Sequence, residues 1–148
     1  MRFSIHGLLA GVGLMLLSSI LLAENSTRVP GYTIHHNALL TSDLLPDVAK
    51  TYNIRRSKNR AMLNVSVIKD VAGTTGESVT AKVTATGKNT RGQVRNIPMR
   101  KIQEADATYY IGDFLVENQE IVDFTILVTP QGESQTHTTS IQQQFFTK

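Results

Sequence analysis

The sequence predicts an all-β domain: an antiparallel β-sandwich of about seven strands, with one short helix between the first two strands. Three observations predict it. Apolar and polar side chains alternate along most of the chain after Glu24, the mark of half-buried strands. The alternating stretches are joined by short polar links with Gly, Pro and acidic residues, and short links make consecutive strands antiparallel. Seven such strands in roughly 115 residues suit a sandwich. The chain also has no cysteine, so packing alone must hold it, which a single domain of this size can do.

The first 23 of the 148 residues differ from the rest. Arg2 gives a positive start, and Gly7 to Ala23 is apolar except for Ser18 and Ser19. Ala23 is the small residue before polar Glu24 and Asn25. This is the layout of a secretory signal cleaved after Ala23, although Leu21 stands where a small residue is usual. The apolar run is short for a spanning anchor, which needs about 20 residues. An uncleaved segment would be the chain's only membrane contact, and the absence of cysteine excludes a lipoprotein anchor. The expected organisation is a signal over 1–23, a polar lead-in over 24–30 and one sandwich over 31–148. Export without disulfides suggests a bacterial periplasm.

Each strand carries its own evidence. In Gly31 to Leu39, Tyr32, Ile34 and His36 share one face, and Thr33, His35 and Asn37 the other. Leu44 to Tyr52 breaks the period: Asp43 can cap a start, Pro46 suits a first helical turn, and Val48, Ala49 and Tyr52 lie three and four apart. This is the short helix, placed to cover an open end of the core. In Met62 to Lys69, Leu63, Val65 and Val67 point inward. Ser78 to Thr86 turns Val79, Ala81, Val83 and Ala85 inward. Val94 to Ile102 is a poorer strand, an edge or bulged one, because Pro98 lacks an amide donor. Thr108 to Val116 is aromatic and β-branched, Ile121 to Thr129 alternates Phe124, Ile126 and Val128 with polar residues, and Gln135 to Phe146 closes the chain. Thr129-Pro130-Gln131-Gly132 reads as a turn.

Charge narrows the function. Loss of Arg2 with the leader lowers the formal charge from +3 to +2, too little to argue for nucleic acid. Its distribution is uneven. Lys50 to Lys101 holds 12 basic and two acidic residues, whereas Ile102 to Thr147 holds seven acidic residues and no Lys or Arg. Antiparallel neighbours bring such halves together, so mutual neutralisation is expected.

Four constellations in the sequence could carry a site or a structural bond. Arg55, Arg56, Lys58, Asn59 and Arg60 form a basic loop before a strong strand. Guanidinium forks suit a phosphate or carboxylate, so this loop is the expected contact for an anionic envelope component or another envelope protein, with Arg56 and Asn59 central. The ordinary alternative is a solvated loop, or arginines tied to the acidic half. His35 and His36 are sequence neighbours on a strand and point to opposite faces. A metal site would need His137, a carboxylate or one of Met62 and Met99 brought in by the fold, and no metal-ligand spacing appears. Asp113, Glu120 and Asp123 would make a minor hydrolase only if gathered in one cleft, and no nucleophile elbow or phosphate loop is present. Asp106-Ala107-Thr108-Tyr109-Tyr110 has the spacing of the tyrosine corner of immunoglobulin-like domains, where a hydroxyl bonds back to backbone. This is a structural signal, not a functional one.

GYTIHHNAL, LLPDVAKTYNI, RRSKNRAMLNVSV and ATYYIGDF together resemble a bacterial family of small exported proteins, known only as domain of unknown function four-four-two-six. The stretch from Tyr52 to Val67 is the most specific part. The resemblance covers nearly the whole chain after the leader. It implies a periplasmic immunoglobulin-like sandwich and brings no activity, cofactor or site residue with it. The expected function is a non-enzymatic binding or adaptor module of the bacterial cell envelope, with no cofactor. A copper-type metal-binding protein is the alternative.

Overall fold

A computed structural model describes residues 25–148. The expected signal, and the choice between its cleavage and its retention as an anchor, lie outside the described residues. Among the described residues, ten strands form two antiparallel sheets packed face to face. They are β1 (Asn25–Val29), β2 (Tyr32–Leu40), β3 (Arg60–Lys69), β4 (Glu77–Ser78), β5 (Ala81–Asn89), β6 (Val94–Ile97), β7 (Arg100–Glu104), β8 (Ala107–Leu115), β9 (Ile121–Pro130) and β10 (His137–Gln144). The larger sheet runs β1-β2-β3-β8-β7, with β4 also paired to β3; the smaller runs β10-β9-β5-β6. Among the described residues no helix is long and apolar enough to cross a membrane.

The alternation read from the sequence sets the faces. Ile34, Leu63, Val65 and Val67 of the larger sheet are fully buried against Val122, Phe124, Ile126 and Val128 of the smaller. Phe114, Phe124 and Phe145 meet edge-to-face at centroid distances of 5.4, 6.0 and 6.4 Å, the geometry their ring quadrupoles favour.

The strand count rises from seven to ten for three reasons. Residues 25–29, within the segment expected as a polar lead-in, form β1 and pair with β2 from Asn25↔His36 to Val29↔Tyr32. Two residues, Glu77 and Ser78, pair with the end of β3. The stretch expected as one poor strand, Val94 to Ile102, is two strands in different sheets: β6 pairs β5, and β7 pairs β8. Pro98 and Met99 carry the chain between the sheets, so the missing proline amide falls where no ladder needs it. The crossover passes so close to β8 that a Cβ on Gly112 would meet Pro98 O at 2.6 Å, Ile97 Cγ2 at 2.7 Å and Met99 Sδ at 2.8 Å. Glycine at 112 is a requirement of that passage.

The opposite flank is closed by side chains. Thr27 Oγ1 lies 3.0 Å from His36 Nε2 and 2.5 Å from Thr139 Oγ1, tying β1 and β2 to β10. The Tyr110 hydroxyl accepts the Ala81 amide at 2.8 Å and joins the two sheets; Ala81 lies 29 positions away, so this is a bond between layers and not the local corner that the spacing suggests.

Candidate functional site

The link between β2 and β3 builds the most distinctive surface of the molecule. After a 3-10 turn at Thr41–Asp43, the helix α1 (Pro46–Thr51) starts with Pro46 in its first turn. Asp43 does not cap it: the N-cap position is Leu45, with no side-chain cap bond. The backbone of Asn53 is left-handed, at φ 53°, a common way to end a helix.

This linker does not plug an open end of the core, as expected. It lies across the outer face of the larger sheet, the face alternation reserves for water, and two sets of bonds fasten it there. Buried Thr41 donates to Ser57 O at 3.1 Å and accepts the Ser57 amide at 2.9 Å, clamping both ends of the linker together. Further along, the Tyr52 hydroxyl donates to Glu104 and Arg100 donates to the Tyr52 carbonyl. The bond to the Glu104 carboxylate, with burial and the nearby negative charge behind it, raises the Tyr52 pKa above the ordinary phenol value.

Between linker and sheet runs an open groove of about 420 Å³. Leu39, Met62, Ile102 and Ile111 form its floor, Leu44, Val48, Tyr52 and Ile54 its roof, and Glu104, bonded by the Tyr52 hydroxyl, also lines it. Met62 and Ile111 are each only 6% exposed yet lie outside the main core. At one end the groove meets a polar hollow of about 320 Å³; Asn64 and Tyr109 line both. His35, His36, Asn37, Ser66, Ile68 and Thr75 complete the hollow, which has no Lys, Arg, Asp or Glu in its wall. Two of its polar atoms, Asn64 Oδ1 and His35 Nδ1, are shielded from solvent and have no hydrogen-bond partner in the protein. Shielded polar atoms are nearly always bonded in folded proteins, so these two are open to a partner from outside the protein.

The basic loop is not a cluster of free cations. Arg60 opens β3 and donates to Asp113 Oδ2 from Nε at 2.9 Å and Nη2 at 2.5 Å. Arg56 donates to Ser42 O at 2.9 Å and ties the loop to the linker. The Asn59 carbonyl accepts the Val116 amide at 2.9 Å. Arg55 and Lys58 are exposed. Two more arginines pair across the halves: Arg91 with Glu117 at 3.0 Å, and Arg95 with Glu120 at 2.9 Å. The Glu120 side chain is 7% exposed and also accepts from Asn89 Nδ2. The basic and acidic halves of the sequence thus meet in pairs.

The other candidates are dispersed. His36 is buried in the flank seam, and burial above all lowers its pKa. His35 faces the opposite, outer hollow, as the strand period requires. His137 is buried beside Tyr32, at a centroid distance of 6.4 Å. Met62 floors the groove, and Met99 packs at the crossover. No group of three His, Cys, Asp or Glu suited to a metal occurs among the described residues. Asp113, Glu120 and Asp123 engage Arg60, Arg95 and Gln142 respectively.

Comparison with known proteins places this architecture. The family model described as a domain of unknown function, DUF4426, matches residues 26–148. The chain belongs to the DUF4426 family. A solved DUF4426 family protein from Pseudomonas aeruginosa PAO1 is similar at 30% identity, with a TM-score of 0.72, covering 84% of this chain and 96% of that one. FetP of uropathogenic Escherichia coli strain F11, expressed recombinantly in the periplasm of E. coli, is similar at 12% identity and TM-score 0.58, covering 84% and 94%. A copper-bound variant of FetP is similar at 12% identity and TM-score 0.59, covering 83% and 95%. At that identity the likeness to FetP is one of fold. No curated protein matches the chain.

The groove of this DUF4426 protein has a sequence signal that alternation alone passes over. Leu39, Met62, Ile102 and Ile111 stand at outward positions of β2, β3, β7 and β8. Met62 follows Ala61 and precedes Leu63, and Ile111 follows Tyr110. Doubled apolar residues at the edge of an alternating stretch mean that both faces of the sheet are covered there.

Proposed function

We propose that this protein is a non-enzymatic binding module of the bacterial cell envelope, and that its ligand sits in the groove between the linker and the larger sheet. The occupant is a small amphipathic molecule with an apolar body. The carrying observation is the juxtaposition of an apolar groove with a hollow that holds two shielded, unbonded polar atoms. The groove's volume is in the range of small-molecule sites, which are mostly apolar with a few placed polar groups. Residence in the periplasm is supported by the leader-like first 23 residues and by the fold shared with a protein expressed in that compartment.

Titration of the purified protein with N-phenylnaphthylamine, a dye that brightens in apolar surroundings, tests the reading. Saturable brightening is expected. Val48→Glu should weaken it about tenfold, because a carboxylate at the groove wall must be desolvated by the dye; Val48 is 38% exposed, so the variant keeps its fold. No saturable signal, or equal binding by the variant, would end this reading.

A second reading, copper binding, draws support from the fold shared with a copper-bound protein. Here the three domain histidines face a seam, a hollow and a core edge.

A further inference from the structure

We infer that the polar hollow selects the head group of that ligand, and that the head is uncharged and donates hydrogen bonds, as an alcohol or a primary amide does. The inference rests on the groove reading and adds the chemistry of recognition. Asn64 Oδ1 is an acceptor without a partner at the junction of groove and hollow. His35 Nδ1 is a second shielded ring nitrogen on the neighbouring strand. The register pairs Asn64 with Asn37 and His35 with Ser66, so Asn64 and His35 are diagonal neighbours on one face, a separation a single head group spans.

The missing charges set the class of head. Neither a carboxylate nor a phosphate finds a cation in the wall of the hollow; of the arginines flanking the groove, Arg60 is committed to Asp113 and Arg100 to the Tyr52 carbonyl. An ammonium finds no anion in the hollow either, and the Glu104 carboxylate of the adjoining groove is engaged by the Tyr52 hydroxyl. A charged head entering this hollow would lose its hydration without a counter-ion, a large penalty. A neutral acceptor, such as an ester, could bond Asn64 Nδ2 but would leave Oδ1 unbonded. A neutral donor completes the atom the fold leaves open, and its apolar tail continues along Met62 and Ile111.

The test displaces N-phenylnaphthylamine from the full protein with decanol, decanamide, methyl decanoate and decanoate, which share a chain length and differ at the head. Decanol and decanamide are expected to displace the dye at concentrations about fivefold to tenfold lower than methyl decanoate, the worth of one net hydrogen bond, with decanoate weakest. In Asn64→Leu the dye should still bind, while the ratio between decanol and methyl decanoate falls to about one. His35→Phe, on the adjacent strand, should shrink the ratio in part and serves as the second variant. Equal displacement by the four heads, with the dye bound and sensitive to Val48→Glu, would overturn the head-group inference and leave the groove reading standing. Failure of the dye to bind would remove both.

Discussion

Replacing Asn64 with leucine should make this protein more stable. Asn64 is half-buried in the middle of β3, on the face it shares with Met62 and, across the ladder, Ile111. Its Oδ1 is shielded and has no partner in the protein. A shielded acceptor left unbonded costs about 1–3 kcal/mol. Part of the Asn64 side chain still reaches solvent, so the low end, about 1 kcal/mol, is the relevant figure. Leucine also fits a half-buried strand position better than asparagine and adds contact with the apolar floor. The net gain should be about 1–1.5 kcal/mol, a rise of roughly 3–6 °C in melting temperature for a domain of this size. Urea unfolding followed by circular dichroism reads the change as a higher midpoint at constant m-value. A loss of more than about 0.5 kcal/mol would mean that Oδ1 is satisfied in the folded protein, and the reason for reading Asn64 as a ligand contact would disappear. Gained stability with lost head-group selectivity, in one variant, is the behaviour of a residue kept for binding at some cost to the fold.

Three other outcomes follow from the same geometry. Gly112→Ala should destabilise by about 2–3 kcal/mol, because the new methyl meets the Pro98 carbonyl at 2.6 Å and backbone cannot swing aside; a melting temperature within a degree of the parent would contradict the crossover argument. His36 has a pKa lowered from 6.5 chiefly by burial, so the unfolded chain binds the proton more readily, and the stability His36 contributes is full above pH 6.5 and falls as the pH drops below it. Urea midpoints measured from pH 7 downward should therefore decline more steeply in the parent than in His36→Gln, and parallel curves would count against the buried neutral imidazole. Copper titrated into the protein should leave the melting temperature unchanged if the histidines act separately, whereas a rise with metal concentration would favour the second reading of function.

The core was legible because it obeys a local rule. Ile34, Val65, Val83, Phe124 and their neighbours sit on the period-two face, and each is buried as its strand pattern says. Two things exceeded the rule. One was the change of sheet at Pro98-Met99: the sequence marks the break in pairing but not that the chain resumes on the other layer, which depends on Gly112 thirteen residues away admitting the passage. The other was β1, whose polar sequence, NSTRV, lacks the apolar face of a core strand. It is held by its ladder to β2 and by Thr27 reaching His36 and Thr139, the latter 112 positions distant.

The basic loop and the groove are visible in sequence to opposite degrees. A run of four cations in six residues attracts attention because charge is conspicuous in sequence. Its partners are less so: Arg60 belongs to Asp113, on a strand about fifty positions later, and Arg56 to a carbonyl of the preceding turn. The groove is inconspicuous because its side chains look like ordinary core. Leu39, Met62, Ile102 and Ile111 differ from Leu63 or Val65 only in falling on the opposite phase of the alternation, and a linker that the Thr41–Ser57 clamp folds back over the sheet turns that phase into an interior. Thr41→Val tests this dependence directly. Loss of its bonds to Ser57 should loosen the linker and weaken dye binding several-fold, while the ladder between β2 and β3 keeps the sheet intact; dye affinity unchanged in a folded Thr41→Val protein would show that the clamp does not shape the groove.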